Sequence, residues 1–172
     1  ALDFAIAIKF GNCGQICVAA NRFFVHENVH KKFVDGLIKK ARELKIGYNK
    51  NLDFEIGPLI SKSSRERVID LIKSTIDNGG KLEFGGEIPL MNGNWFEPTI
   101  ITNVNESMSI FHMEIFGPVA SIIKFNNDDE VLKKANNTDY GLASYLFTSN
   151  KKRIDKFVDE LDFGEIHVNG IK

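Results

Sequence analysis

Apolar residues along this chain follow two alternating patterns: stripes with a helical period of about 3.6 residues, and short continuous runs. The helical stripe is clearest over residues 28–44, which we predict to be a helix with Asn28 as its N-cap. A second amphipathic stretch covers residues 63–78 and begins with Ser63 and Glu66, which have the spacing of a capping box. The pattern therefore predicts two long amphipathic helices in the first half of the chain.

The second half of the chain contains two more predicted helices, each preceded by an asparagine that can act as its N-cap. Asn127 precedes the first of them, which extends through Asn136, and Asn150 precedes the last. Short runs rich in β-branched and aromatic residues lie between the helices and predict strands. These runs are residues 22–26, 81–84, 95–101, 118–125, 144–148 and 165–169.

The run PVASIIKF, residues 118–125, is almost continuously apolar, which is typical of a strand that is covered on both faces. Strands that alternate with crossover helices favour a mostly parallel sheet with helices on both sides. The 172 residues, 43% of them hydrophobic, are enough for one domain with a substantial core. We therefore predict a single α/β domain with three layers, α/β/α.

Charge and composition exclude several classes of protein. The chain has 22 Lys and Arg residues against 23 Asp and Glu, so it lacks the basic excess expected of a nucleic-acid-binding protein. No apolar run approaches the roughly 18–20 residues that span a bilayer, so no membrane partner is expected. Two cysteines do not make a disulfide framework, and a cytoplasmic location is expected. Because the chain begins with Ala1 inside an amphipathic segment, we expect a fragment or an excised domain.

Both cysteines lie in one short stretch, FGNCGQICVAANR, residues 10–22. A zinc site needs four ligands, and no histidine stands at a recognisable spacing, so no metal is expected. A disulfide between Cys13 and Cys17 fits poorly with a helical separation, and two buried thiols would be the usual interpretation. The turn-forming residues before Cys17 favour a different interpretation, in which Cys17 is a reactive thiol. A helix that began at Cys17 would place backbone N–H groups around a thiolate and around a developing oxyanion.

Two motifs in this chain are filled in register. The first is F-x-N-x-G-Q-x-C, formed by Phe10, Asn12, Gly14, Gln15 and Cys17 and followed by AANRFFV. The second is E-x-F-G-P-V, formed by Glu114, Phe116, Gly117, Pro118 and Val119. Both motifs resemble those of the aldehyde dehydrogenase family, and GNWFEPTIITNV, YGLASYLFTSN and FGEIHVNG are similar to other stretches of that family in the same order. The resemblance implies the α/β fold of the family's catalytic domain.

The resemblance also implies chemical roles for five residues. Cys17 would attack the aldehyde carbon as a thiolate, and its own backbone N–H would supply half of the oxyanion hole. Hydride transfer to NAD or NADP would leave a thioester on Cys17, which water hydrolyses to the acid. Glu114 would bind the ribose hydroxyls beside the nicotinamide, and Phe116 would lie against the nicotinamide ring. Ile16 and Val18 flank the nucleophile and would contact the aldehyde.

The same resemblance makes residues 1–172 the catalytic domain of a longer protein. A Rossmann-like cofactor domain, with the general-base Glu and the oxyanion-hole Asn, would precede Ala1, and an oligomerisation segment would follow Lys172. The full-length protein is expected to be a homodimer or homotetramer. The chain looks most like the succinate-semialdehyde dehydrogenase branch, with lactaldehyde or glycolaldehyde dehydrogenases as the alternative.

Two other functions stay open at this point. Without a general base, the domain could be a catalytically silent module. A thiol hydrolase would instead pair Cys17 with a histidine base, which must lie within hydrogen-bond reach of the thiol. Cys13 matches no catalytic position of the family, and we expect it to be buried in the core.

Overall fold

The computed structural model of the protein describes residues 1–48 and 55–170. Its helices are α1 (Leu2–Phe10), α2 (Glu27–Glu43), α3 (Lys62–Asp77), α4 (Ser109–His112), α5 (Asp128–Asn136) and α6 (Lys151–Glu160). Its strands are β1 (Arg22–His26), β2 (Lys81–Phe84), β3 (Thr99–Thr102), β4 (Val119–Phe125), β5 (Ala143–Leu146) and β6 (Glu165–Val168). A 3-10 helix, Gly11–Gly14, follows α1 directly. The four predicted amphipathic helices are present as α2, α3, α5 and α6, and each predicted strand run overlaps a strand, while α1 and the short α4 are further helices.

The strands form two sheets in the described part of the chain. The larger sheet has the order β1-β4-β3-β2, and the smaller one pairs β5 with β6. β1 and β3 are parallel to β4, and β5 is parallel to β6, whereas β2 is antiparallel to β3. The prediction of a mostly parallel α/β fold is therefore confirmed. The expectation of one sheet is wrong, because no ladder joins β1 to β5.

β4 lies at the centre of the core. Residues 119–123 are all buried, which requires cover on both faces of the strand. Helix α2 packs against α1, β1 and β4, while α3 packs against α4 and β2. Leu37 of α2, Val68 of α3 and Ile122 of β4 are completely buried. Helices thus enclose the larger sheet, as the continuous apolar run predicts.

Two of the predicted N-caps are wrong by two residues. His26 caps α2, because its ring Nδ1 accepts a hydrogen bond of 3.2 Å from the backbone N–H of Asn28. The helix begins immediately where β1 ends, so Asn28 lies inside its first turn. Ser61 rather than Ser63 caps α3, and its Oγ accepts a bond of 3.0 Å from the backbone N–H of Ser64. The predicted asparagine caps of α5 and α6 are confirmed.

The apolar run 95–101 is only partly a strand. β3 begins at Thr99, and Trp95 and Phe96 are buried without belonging to a ladder. Pro98 has no backbone N–H to donate to a neighbouring strand, which explains why pairing starts after it.

Candidate active site

Cys17 lies on an exposed turn between the 3-10 helix and β1. A hydrogen bond of 3.0 Å from the Ala19 backbone N–H to the Ile16 carbonyl closes the turn. The predicted helix start at Cys17 is wrong, because the chain must become extended again to enter β1 at Arg22. Backbone N–H groups of a turn, rather than a helix macrodipole, are therefore available to an anion at this position.

The backbone before Cys17 is left-handed at three consecutive residues. Asn12, Cys13 and Gly14 have φ angles of 49°, 57° and 70°. A Cβ on Gly14 would lie 2.2 Å from the carbonyl oxygen of Gly117, a separation that no side chain can occupy. Glycine is therefore required here, and it lets the turn before the thiol touch the backbone of the loop that carries the second motif.

The glutamine of the first motif anchors this turn on the segment before α3. Gln15 Nε2 donates to the carbonyl oxygens of Asn12 and Pro58, over 3.2 and 3.3 Å. Its Oε1 accepts a hydrogen bond of 2.8 Å from the backbone N–H of Ile60. The side chain thus satisfies backbone groups of two segments that are distant in sequence, and it fixes the approach to Cys17.

Cys13 and Lys9 are both buried below the turn. Cys13 is completely inaccessible, as expected, and burial raises the pKa of its thiol to about 12. Lys9 is only 1% exposed, and burial lowers the pKa of its amine to about 7, while the nearby charges of Cys13 and Glu114 act in the opposite direction. A lysine inside the apolar run AIAIKF is the sequence signal for this buried amine, which the motifs alone do not reveal.

Glu114 and Phe116 lie on the loop between α4 and β4, and both side chains are exposed. Phe116 has a φ of 46°, which is uncommon for a bulky residue. Arg67 of α3 holds the loop by donating to the carbonyl oxygens of Glu114 and Ile115, over 3.0 and 2.5 Å. The loop therefore presents a carboxylate and an aromatic ring to solvent from a backbone that is fixed by α3.

Asn21 holds the same loop from the other side. Its Nδ2 donates to the carbonyl oxygen of Met113 over 2.7 Å, and its Oδ1 accepts from the Ile115 N–H over 2.8 Å. The backbone carbonyl of Asn21 accepts a bond of 2.6 Å from Ser121 Oγ in β4. Asn21 follows Cys17 by four residues, so the Cys17 segment and the Glu114 loop are joined directly.

A cavity of about 570 Å³ lies between β1 and β5, and Cys17, Val18 and Glu114 line it. Most of its other lining residues are apolar or aromatic, and they include side chains of α1, β1 and β5. Ile16 and Phe116 are not among the lining residues. The structure thus brings three of the five predicted residues to one space, which has the size of a small-molecule site.

Tyr145 of β5 forms one wall of this cavity and contacts the segment that carries Cys17. Its hydroxyl donates a hydrogen bond of 2.9 Å to the carbonyl oxygen of Val18. Its ring stacks on His167 of β6, with ring centroids 5.2 Å apart and planes inclined by 16°. Burial raises the pKa of Tyr145, so the hydroxyl keeps its proton and remains a donor. No local sequence signal reveals this contact, because the two residues are 127 positions apart.

Three of the four histidine rings have partners other than the thiol. His26 accepts from the backbone of its own helix, His112 bonds to the Glu106 carbonyl, and His167 bonds to Glu165. In residues 1–48 and 55–170 there is no group of three or more potential metal ligands. Nor does any helix of that part of the chain have the length and apolar character needed to cross a membrane.

The chain belongs to the aldehyde dehydrogenase family, whose profile matches residues 1–172. Succinate-semialdehyde dehydrogenase NADP(+) 2 of Schizosaccharomyces pombe is 38% identical over 170 residues, which are 98% of this chain and 34% of that protein. The crystal structure of succinate-semialdehyde dehydrogenase from Burkholderia pseudomallei superposes with a TM-score of 0.96 at 35% identity, over 99% of this chain and 36% of that one. Betaine aldehyde dehydrogenase from Staphylococcus aureus, solved in complex with NAD+, gives a TM-score of 0.93 at 30% identity, over 99% and 35% of the two chains.

The chain spans about a third of the length of these relatives. Their names include two different aldehydes and both NADP(+) and NAD+. The family and the catalytic-type α/β fold are therefore established, and the resemblance seen in the sequence motifs is confirmed.

Proposed function

We propose that this chain is the nucleophile-bearing catalytic domain of an NAD- or NADP-dependent aldehyde dehydrogenase, which oxidises an aldehyde to a carboxylic acid. The observation that carries the proposal is that Cys17 and Glu114, which fill the family's two motifs, line the same cavity. In a full-length protein of the relatives' size, other segments would supply the cofactor domain, the general base, the second oxyanion donor and the contacts of a homodimer or homotetramer.

The exposed residues of the Glu114 loop suit a nicotinamide cofactor. A carboxylate can accept hydrogen bonds from two neighbouring ribose hydroxyls, and Glu114 is exposed and mounted on a fixed backbone. The half-exposed ring of Phe116 offers an apolar face to a flat nicotinamide. Glu114 would bind the ribose and Phe116 would support the ring. The bound cofactor accepts the hydride that the reaction releases.

The residues of this chain carry the covalent step. The Cys17 thiolate adds to the aldehyde carbon, forming a C–S bond and placing the negative charge on the carbonyl oxygen. The backbone N–H of Cys17 donates to that oxygen. Loss of hydride from the same carbon restores the C=O bond as a thioester on Cys17. Water then attacks the thioester, which releases the carboxylic acid and the thiol. Val18 and Ile16 would contact the aldehyde from either side of the nucleophile.

Succinate semialdehyde is the substrate that we propose first, because two of the relatives carry its name at 35–38% identity. Lactaldehyde and glycolaldehyde are the alternatives. The relative that acts on betaine aldehyde has a nearly equal TM-score, so backbone similarity does not discriminate among aldehydes.

The test is a chimera in which this chain replaces the matching 170 residues of the Schizosaccharomyces pombe relative. We expect the purified chimera to reduce NADP+ or NAD+ in the presence of succinate semialdehyde, and its Cys17→Ser variant to lose at least a thousandfold in rate. The matched control is Cys13→Ser, which removes the buried thiol and should retain activity if the chimera folds. A Cys17→Ser chimera with undiminished rate would overturn the proposal.

A catalytically silent module is the second candidate, because the chain spans only about a third of its relatives. The two functions are discriminated when the 172-residue chain and the chimera are assayed side by side with succinate semialdehyde and NADP+. Oxidation by this chain alone would exclude the silent module. We expect no turnover from this chain and turnover from the chimera.

A further inference from the structure

We infer that Asn21 is a positioning residue that sets the geometry between Cys17 and the cofactor-binding loop at Glu114. The inference rests on the proposed function. In that function the aldehyde carbon is bound to Cys17 and the nicotinamide ribose to Glu114, so the separation of these two residues determines how far the carbon lies from the nicotinamide. Asn21 belongs to the segment that carries the thiol, and its side chain reaches the loop directly.

The amide of Asn21 bonds to the backbone on both sides of Glu114. It donates to the Met113 carbonyl over 2.7 Å and accepts from the Ile115 N–H over 2.8 Å. An amide can do both at once because it has a donor and an acceptor in one plane. The side chain therefore acts as a short piece of β-ladder and fixes the peptide groups that flank the carboxylate.

The backbone of Asn21 is itself fixed to the core. Its carbonyl accepts from Ser121 Oγ over 2.6 Å, and Ser121 is completely buried in β4. From the opposite side, Arg67 donates to the carbonyls of Glu114 and Ile115. The loop is thus held between two side chains, one from the nucleophile segment and one from α3.

This arrangement has a functional consequence beyond stability. The Glu114 carboxylate is exposed, so nothing in its own burial orients it. Its position relative to the thiol depends on the backbone, and the Asn21 side chain joins the two segments by hydrogen bonds on both sides of Glu114. Preorganised groups lose less freedom when a ligand binds, so loosening this connection should weaken cofactor binding more than aldehyde binding.

The first test measures amide hydrogen exchange at Ile115 in the 172-residue chain. In Asn21→Ala the Ile115 N–H loses its acceptor, and we expect exchange about tenfold faster. In Asn21→Asp an oxygen still accepts from this N–H, so protection should be retained, while the bond to Met113 is lost. The matched control is Asn126→Asp, the same charge change on an exposed residue. Unchanged Ile115 exchange in Asn21→Ala would overturn the proposed connection, whether or not the protein is a dehydrogenase.

The second test measures steady-state kinetics of the same variants in the chimera. Both Asn21 variants lose the bond to Met113, and one hydrogen bond corresponds to roughly a tenfold change. We therefore expect the KM for NADP+ to rise about tenfold or more in both, while the KM for the aldehyde changes by less than about twofold. A role in folding alone would lower the amount of active enzyme and leave both KM values unchanged, and that result would contradict the inference. A wild-type chimera that reduces no cofactor would instead contradict the proposed function, and the exchange measurement would still decide the role of Asn21.

Discussion

The buried amine of Lys9 predicts an unusual dependence of stability on pH. Its pKa falls from 10.5 to about 7 on folding, and the first cause is burial. Between those two values the unfolded chain carries a proton that the folded chain does not. The free energy of unfolding must therefore rise with pH over this interval, because the cost of burying the amine is fully present below about pH 7 and is relieved as pH rises towards 10.5.

The magnitude follows from the size of the shift. Each unit of pKa difference between the folded and unfolded states corresponds to about 1.4 kcal/mol. The contribution of Lys9 to stability changes with pH only between its folded and unfolded pKa values, where the two states differ in bound protons. From pH 7 to pH 9, the contribution of Lys9 to the free energy of unfolding should rise by about 2 kcal/mol. Lys9→Met keeps a similar volume and removes the amine. We expect this variant to be more stable than the wild type at pH 7, by about 2–4 kcal/mol.

The assay is urea unfolding followed by the fluorescence of Trp95, which is the only tryptophan and is 6% exposed. The quantity to compare is the difference between wild type and Lys9→Met at each pH, because the titration of groups that do not interact with Lys9 is common to both proteins and cancels. The control is Lys39→Met on the exposed face of α2. If the curves of wild type and Lys9→Met against pH were parallel from 7 to 9, the reasoning about the buried amine would be refuted.

Two further substitutions test the packing around the site. Gly14→Ala places a Cβ against the Gly117 carbonyl in a left-handed conformation, so we expect the free energy of unfolding in urea to fall by about 2–4 kcal/mol. A fall below about 0.5 kcal/mol would show that the two turns are not in contact. Arg22→Met removes a guanidinium that donates to three carbonyls at the end of α5, so we expect a loss of about 2 kcal/mol and faster amide exchange in α5. Unchanged exchange there would contradict the role of Arg22 as a C-terminal cap.

The helices could be predicted because their evidence is local. The apolar stripe of α2 and the asparagines before α5 and α6 act within a few residues of themselves. The N-caps predicted for α2 and α3 lie two residues too late in the sequence, since the cap is the residue whose backbone is still extended. His26 and Ser61 have extended backbones. The backbone of His26 is extended because β1 ends there, and that of Ser61 follows from the path of the loop before α3, and neither is visible in the local sequence.

The candidate site was only partly predictable, because some of its contacts join residues that are far apart in the sequence. Cys17, Glu114 and Val18 could be located from motifs, and the structure places them on one cavity. The helix predicted at Cys17 was wrong because the distance to β1 leaves room for one turn. Asn21 and Tyr145 could not be assigned from sequence, since their partners lie 92 and 127 positions away. Contacts of that range are created by the sheet and leave no periodic pattern.

The most direct test of the account is whether the substrate carbon becomes attached to Cys17 during turnover. The chimera is mixed with succinate semialdehyde and NADP+, quenched in acid and digested, and the peptide that contains residues 10–22 is analysed by mass spectrometry. We predict an acyl group on Cys17, none on Cys13, and none in Cys17→Ser. Turnover without any acyl group on Cys17, or an acyl group that persists in Cys17→Ser at another residue, would contradict the assignment of Cys17 as the nucleophile.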